Sequence, residues 1–119
     1  MSMRRGDIVV VAFSGDYGKP RPALVIQNDA FEQLPSLTVL PLTSDLHPAP
    51  LIRINISPSA DNGLERHSHV MVDKTTTVPR SKIGRQIGRL EPETMRQVGL
   101  ALSRFLELQC NDAQSDRER

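Results

Sequence analysis

Apolar residues recur along this chain in two rhythms. Residues 7–13, DIVVVAF, are β-branched and apolar without alternation, the pattern of a strand covered on both faces. Ala23 to Ile26 repeats that pattern. Leu37 to Thr43 is a third strand candidate, in which Pro41 points to an edge or a bulge because proline cannot donate to a ladder. From Leu51 to Ile56, Ile52, Ile54 and Ile56 alternate with Arg53 and Asn55, as in an antiparallel strand with one wet face. Asp61-Asn62-Gly63 is a turn signal, since Asn and Gly tolerate positive φ, and the short run from His69 to Asp73 follows it. In KIGRQIGRL, residues 82–90, glycines at 84 and 88 make a helix costly, so the stretch reads as a bent strand.

The rhythm changes at Pro92. Met95, Val98, Ala101, Leu102, Phe105 and Leu106 recur at helical spacing, Pro92 suits the first helical position, and Glu91 and Glu93 suit the positive end of the helix dipole. Five or six short strands followed by one long helix predict a mainly β fold: a small, strongly curved sheet or barrel with the C-terminal helix packed on it. One domain is expected over residues 1–109, and residues 110–119, which lack periodicity, are expected to be a disordered polar tail.

Composition narrows the classes. A chain of 119 residues can bury a real core as one domain. Fifteen basic against fourteen acidic residues give a net charge of +1, so bulk charge does not mark a nucleic-acid binder. Local charge says more: Arg80, Lys82, Arg85, Arg89, Arg96 and Arg104 face only Glu91 and Glu93 over the same stretch. The single cysteine, Cys110, cannot form an internal disulfide, and MSMRRGD has no secretory apolar core. No apolar run approaches the roughly 20 residues a bilayer requires, so a cytoplasmic protein without a membrane segment is expected. One tyrosine, three phenylalanines and no tryptophan exclude an extended platform for stacking bases.

Candidate chemistry sits at strand ends. His47, His67 and His69 have no third ligand at a recognisable spacing, so no metal is expected and the histidines read as solvated surface. Neither a P-loop nor a serine nucleophile elbow occurs. The remaining set is Asp16 and Lys19 in the loop SGDYGKP, Arg21 at the mouth of the second strand, Thr43 and Ser44 ending the third, and Asp73 after the turn signal. A tightly curled sheet would draw one rim of strand ends together. Such a set suits cleavage of an RNA phosphodiester, where the ribose 2′-hydroxyl attacks and the protein supplies base, acid and charge at phosphorus. Arginine's fork matches two phosphate oxygens at once. Plainer readings stand beside this one: Arg21 paired with Asp16, Thr43 and Ser44 bonding backbone in their turn, Asp73 as a solvated strand end.

RRGDIVVVAF, GKPRPALVI, VLPLTSD and HVMVDKTTTVPRSKIGRQIGRL, in that order, resemble the MazF/PemK family of toxins from type II toxin–antitoxin modules, over about Met3 to Leu108. The resemblance implies an SH3-like barrel of the PemK/CcdB type, with five to seven strands and one long α-helix. It implies a sequence-selective endoribonuclease that needs no metal or other cofactor, cuts single-stranded RNA and leaves 2′,3′-cyclic phosphate and 5′-hydroxyl ends. As partners it implies a second copy in a homodimer and a cognate antitoxin with an acidic segment. By position, it assigns catalysis to Arg21 and Thr43, with Asp16 where some members carry a glutamate proposed as the base. Lys19, Ser44, Asp73, Lys74 and Arg80 form the RNA-binding rim on this reading. Two departures stand out: Met71 occupies the place of an arginine that pairs with the aspartate matching Asp73 in the PemK branch, and Gly15 the place of a histidine. The alternatives are a CcdB-like toxin that binds gyrase without cleaving RNA, and an inactive RNA- or protein-binding barrel.

Overall fold

The computed structural model describes residues 3–13 and 19–108. They form β1 (Asp7–Ala12), β2 (Pro20–Val25), β3 (Ser36–Thr43), β4 (Arg53–Ile56), β5 (Ser68–Met71), β6 (Thr76–Pro79), β7 (Ile83–Arg89) and the helix α1 (Pro92–Leu106). Every strand pair is antiparallel. The order across the sheet is β4-β5-β3-β2-β1-β7, with β6 also pairing β3.

The unbroken apolar runs in β1 and the second half of β2 have a direct cause: both faces of the sheet are covered there. Ile8, Leu24, Leu40 and Leu42 point into a large core beneath α1, together with Val70, Val72 and Leu90. Their neighbours Val9, Val11, Ala23, Val25, Leu37 and Val39 point the other way into a smaller core closed by Val78, Met3, Phe13 and Ile83. Side chains alternate across the pleat, so a stretch between two cores leaves little room for polar residues; Asp7, at the start of β1, is buried in an ion pair with Arg89.

β3 is central, which corrects the edge expected from Pro41. Its first half, Ser36 to Val39, pairs with β6, and Leu42 and Thr43 pair with β5. Pro41 falls in the changeover between those partners, where its missing N–H costs little on that side. β6 is an element the hydrophobic pattern does not reveal. β4 starts two residues later than the alternation suggests, because the amides of Ile52 and Arg53 both bond Ala49 O in a turn. β5 ends at Met71, and Val72–Lys74 closes into a 3₁₀ turn that leads to β6. β7 is bent as expected, with register shifts against β1 between Ile8 and Val9 and again before Val11.

The strand ladder runs open from β4 to β7, and the 57–64 loop after β4 reaches across to β7. Arg89 N donates to Asp61 O at 2.8 Å. Gly63 (φ +71°) and Gly88 allow this approach: a Cβ on Gly63 would lie 2.0 Å from Ile87 O, and one on Gly88 would lie 2.3 Å from the Asn62 carbonyl carbon. Asn62 organises the loop from a buried position. Its Oδ1 accepts from Ser59 N and Leu64 N, both at 3.0 Å, and its Nδ2 donates to Ser57 O at 2.8 Å.

α1 begins with Pro92 and ends at Leu106, followed by Glu107, whose left-handed conformation turns the chain and lets Leu108 N reach Ser103 O. Val98 and Ala101 are its buried residues, with Met95 and Leu102 partly covered. Phe105 and Leu106, expected on the buried stripe, are each 47% exposed, because the last turn extends past the core it covers. No helix among the described residues is long and apolar enough to cross a membrane. The tail expected at 110–119 lies outside the described residues.

Candidate functional site

The β2–β3 ladder brings the two central candidates together. Ala23 pairs with Pro41, and the same register carried two residues further aligns Arg21 with Thr43. Arg21 also stands opposite Val11 on β1. Directly opposed residues share a sheet face. Arg21 and Thr43 therefore rise from the face carrying Val11, Ala23, Val25 and Val39, at the rim of the smaller core. Both line one open cavity of about 480 Å³, together with Phe13, Asp45, Met71 and Lys74. The core below holds the backbone rigid while the polar groups stay accessible.

Thr43 reconciles two readings of the PLTSD segment. Its Oγ1 accepts from Asp45 N at 3.0 Å, the local turn bond, and a hydroxyl that accepts one bond still has a hydrogen to donate. Among the described residues, Arg21 and Lys74 supply two cations, and Asp45 supplies a carboxylate. Two cations and a hydroxyl donor around an open space suit a phosphate diester, whose charge spreads over two non-bridging oxygens.

The other candidates disperse. Ser44 points away from Thr43, as neighbours on an extended chain do, into a separate cavity of about 240 Å³ beside Arg66 and Arg85. Lys19 is exposed at the entry to β2 and does not line the Arg21 cavity. Arg80 sits near the opposite end of β3, just past the Ser36–Pro79 pair; its Nε donates to Leu34 O and its amide to Pro35 O. Asp16 lies outside the described residues, so its place relative to Arg21 is not described.

Asp73 is a half-buried ion-pair partner and not a solvated strand end. Arg53 Nε and Nη2 donate to its two carboxylate oxygens at 3.1 and 3.3 Å. Burial pushes the Asp73 carboxyl up, but the Arg53 hydrogen bonds, a backbone hydrogen bond and the charges of Arg53 and Lys74 together outweigh it and hold it below the ordinary carboxylate value. Arg53 lies directly opposite Met71 across β4 and β5. A guanidinium therefore still reaches Asp73, supplied from the neighbouring strand and not from two residues upstream. Sequence spacing hides it, since the pair spans 20 residues.

The histidines divide as well. His47 is exposed and sits 3.3 Å from Asp45, and His67 is exposed. His69 is only partly exposed, with Nδ1 buried and unpartnered, which corrects its reading as solvated surface. It pairs with Thr43 on β3 and with Asn55 on β4. In the basic strip, Arg80 is bonded to Leu34 O, Arg89 is paired with Asp7, and Arg96 is paired with Glu93, so half of its charge is already engaged within the chain.

Four similarities to known proteins bear on this chain. Residues 4–106 match the family described as the PemK-like, MazF-like toxin of type II toxin-antitoxin systems. The chain is 49% identical over 105 residues to a probable endoribonuclease MazF of Mycolicibacterium smegmatis, covering 87% of this chain and 96% of that one. Among solved structures it is similar to the Mycobacterium tuberculosis toxin MazF-mt6, with a TM-score of 0.74 and 27% identity over 87% of this chain and 98% of that one. It is similar also to an endoribonuclease in complex with its cognate antitoxin from a mycobacterial species, with a TM-score of 0.73 and 25% identity over 91% and 96% of the two chains.

Proposed function

The chain belongs to the PemK-like, MazF-like toxin family of type II toxin–antitoxin systems, and from this premise we propose that it is the toxin of such a module, an endoribonuclease that cuts single-stranded RNA. The observation that supports this most strongly is the shared cavity: Arg21 and Thr43, from separate strands, line one open space beside Lys74. In the reaction the ribose 2′-hydroxyl attacks the adjacent phosphorus and loses its proton, the P–O5′ bond breaks, and the 5′-oxygen takes up a proton. The products are a 2′,3′-cyclic phosphate and a 5′-hydroxyl. Arg21 holds the non-bridging oxygens as negative charge builds at phosphorus, a contribution made mainly in the transition state. The Thr43 hydroxyl donates to one of those oxygens, and Lys74 adds charge at the rim. Asp16, assigned from sequence alone, takes the 2′-hydroxyl proton directly or through a water.

The SH3-like barrel belongs to the same proposal. Its support is the 57–64 loop, which bonds Asp61 O to Arg89 N and so joins the β4 edge of the sheet to β7. A second copy in a homodimer and an antitoxin with an acidic segment are the proposed partners; the solved mycobacterial relative is itself a complex with its antitoxin.

Purified protein incubated with a long transcript in EDTA tests the activity. The expected result is a discrete set of fragments with 5′-hydroxyl ends. Intact RNA together with inhibited gyrase would replace the proposal with the CcdB-like reading, and intact RNA with active gyrase would leave a binding barrel.

A further inference from the structure

A second depression lies on the same sheet face as the Arg21–Thr43 cavity. It has a volume of about 340 Å³ and is lined by His47, Pro48, Pro50, Arg53, Asn55 and His69. The register fixes how the two depressions relate. Thr43 pairs with His69, and His69 pairs with Asn55. Opposed residues share a face, so Thr43, His69 and Asn55 stand in one row across β3, β5 and β4, with neighbours about 5 Å apart. The row is thus about 10 Å long, roughly the reach from a phosphorus to the far edge of a base on the adjoining nucleoside. The loop after β3 forms the wall between the depressions: Asp45 lines the first, His47 lines the second, and the two side chains meet at 3.3 Å.

The lining has the character of a pocket for a flat, polar-edged ring. Asn55 offers an amide with both donor and acceptor, and His69 offers an imidazole edge. Pro48 and Pro50 supply rigid apolar walls. Arg53 is held in place by its two bonds to Asp73, so its guanidinium plane is fixed at the pocket's side. A site built from amide and imidazole edges discriminates against ligands that leave those polar groups unpaired.

We propose that the His47–Arg53–Asn55–His69 depression receives the base of the nucleotide adjoining the cleaved phosphate and reads it through the Asn55 amide and the His69 ring. The proposal rests on the nuclease reading of the neighbouring cavity, and it locates one determinant of the chain's sequence preference.

The test compares the full-length protein with Asn55→Ala and His69→Phe in two measurements. Asn55 is exposed and His69→Phe keeps a ring of similar size; if the latter variant melts early, Asn55→Ala decides. In the first measurement, cut sites are mapped across one long transcript. The expected result is that preference at a single position beside the cut falls roughly 5- to 100-fold, the range for losing one good base contact. Unaltered preference at every position would overturn the proposal. The second measurement is binding of oligoribonucleotides made uncleavable by a 2′-deoxy sugar at the cut, varied at that one base. Base-dependent affinity in the wild type that is lost in the variants sustains the pocket, even if the wild type cleaves no RNA and the nuclease reading falls. Affinity indifferent to the base, or no binding, overturns it.

Discussion

Replacing Asn62 with alanine should be among the most damaging single changes outside the two cores. The side chain makes three bonds, accepting from Ser59 N and Leu64 N at 3.0 Å and donating to Ser57 O at 2.8 Å. Each such bond contributes about 1 kcal/mol net, and a buried donor left unpaired costs about 1–3 kcal/mol. Leu64 is buried, so its amide loses its partner without gaining easy access to water, and a total loss of about 2–4 kcal/mol follows. Backbone strain adds nothing, because Asn62 is not among the residues with positive φ and alanine accepts its conformation. For a chain of this size a loss of about 3 kcal/mol lowers the melting temperature by roughly 10–15 °C. The effect should also spread, since the same loop carries the Asp61–Arg89 bond to β7. Urea unfolding followed by far-ultraviolet circular dichroism measures it: the midpoint should fall with the slope unchanged. A loss below about 1 kcal/mol would refute the claim that Asn62 holds the loop across the sheet.

Other outcomes follow from the same structure. Gly88→Ala should destabilise by about 3 kcal/mol or more, because its Cβ would meet the Asn62 backbone at 2.3–2.4 Å; thermal melting of the variant checks this. The Asp73 carboxyl is held below its unfolded value of about 3.9, so the Arg53–Asp73 pair stabilises the fold above that pH and its contribution is lost as pH falls through the lower folded value. Asp73→Asn should therefore cost about 1–2 kcal/mol at pH 7, and urea midpoints of variant and wild type should converge only as pH falls below the unfolded value of about 3.9.

Much of the fold is legible in the chain because burial on both faces leaves a simple mark. After Asp7, IVVVAF contains no polar position, nor does ALVI, and β1 and β2 do lie between two cores. Pro92 and the 3.6-residue period mark α1 in the same direct way, although the period cannot tell where the core beneath a helix ends, and Phe105 and Leu106 lie past that point. β6 escaped because TTVP offers one buried residue, Val78, and ends in proline; its pairing comes from β3, not from its own pattern. The site was legible in its two central members and obscure around them. Arg21 and Thr43 stand at strand ends, where register along β2 and β3 suffices to align them. Arg53, His69 and Asn55 became visible only when β4 and β5 were laid side by side, since cross-strand neighbours have no fixed separation in sequence. Arg80 and Ser44 show the converse, lying close to the others in motif but directed elsewhere by the turn at Leu34–Pro35 and by the pleat.

The account depends on Arg21 and Thr43 acting on one phosphate, and a double-mutant cycle of single-turnover cleavage measures that directly. Rates of fragment formation from one RNA would be compared for the wild type, Arg21→Ala, Thr43→Ala and the double variant, each with an unchanged circular dichroism spectrum. The expected result is near-complete loss for Arg21→Ala, and a double variant little worse than it, because groups that act together on one reacting atom give strongly non-additive losses. Full cleavage by Arg21→Ala, or two independent losses that simply add, would contradict it.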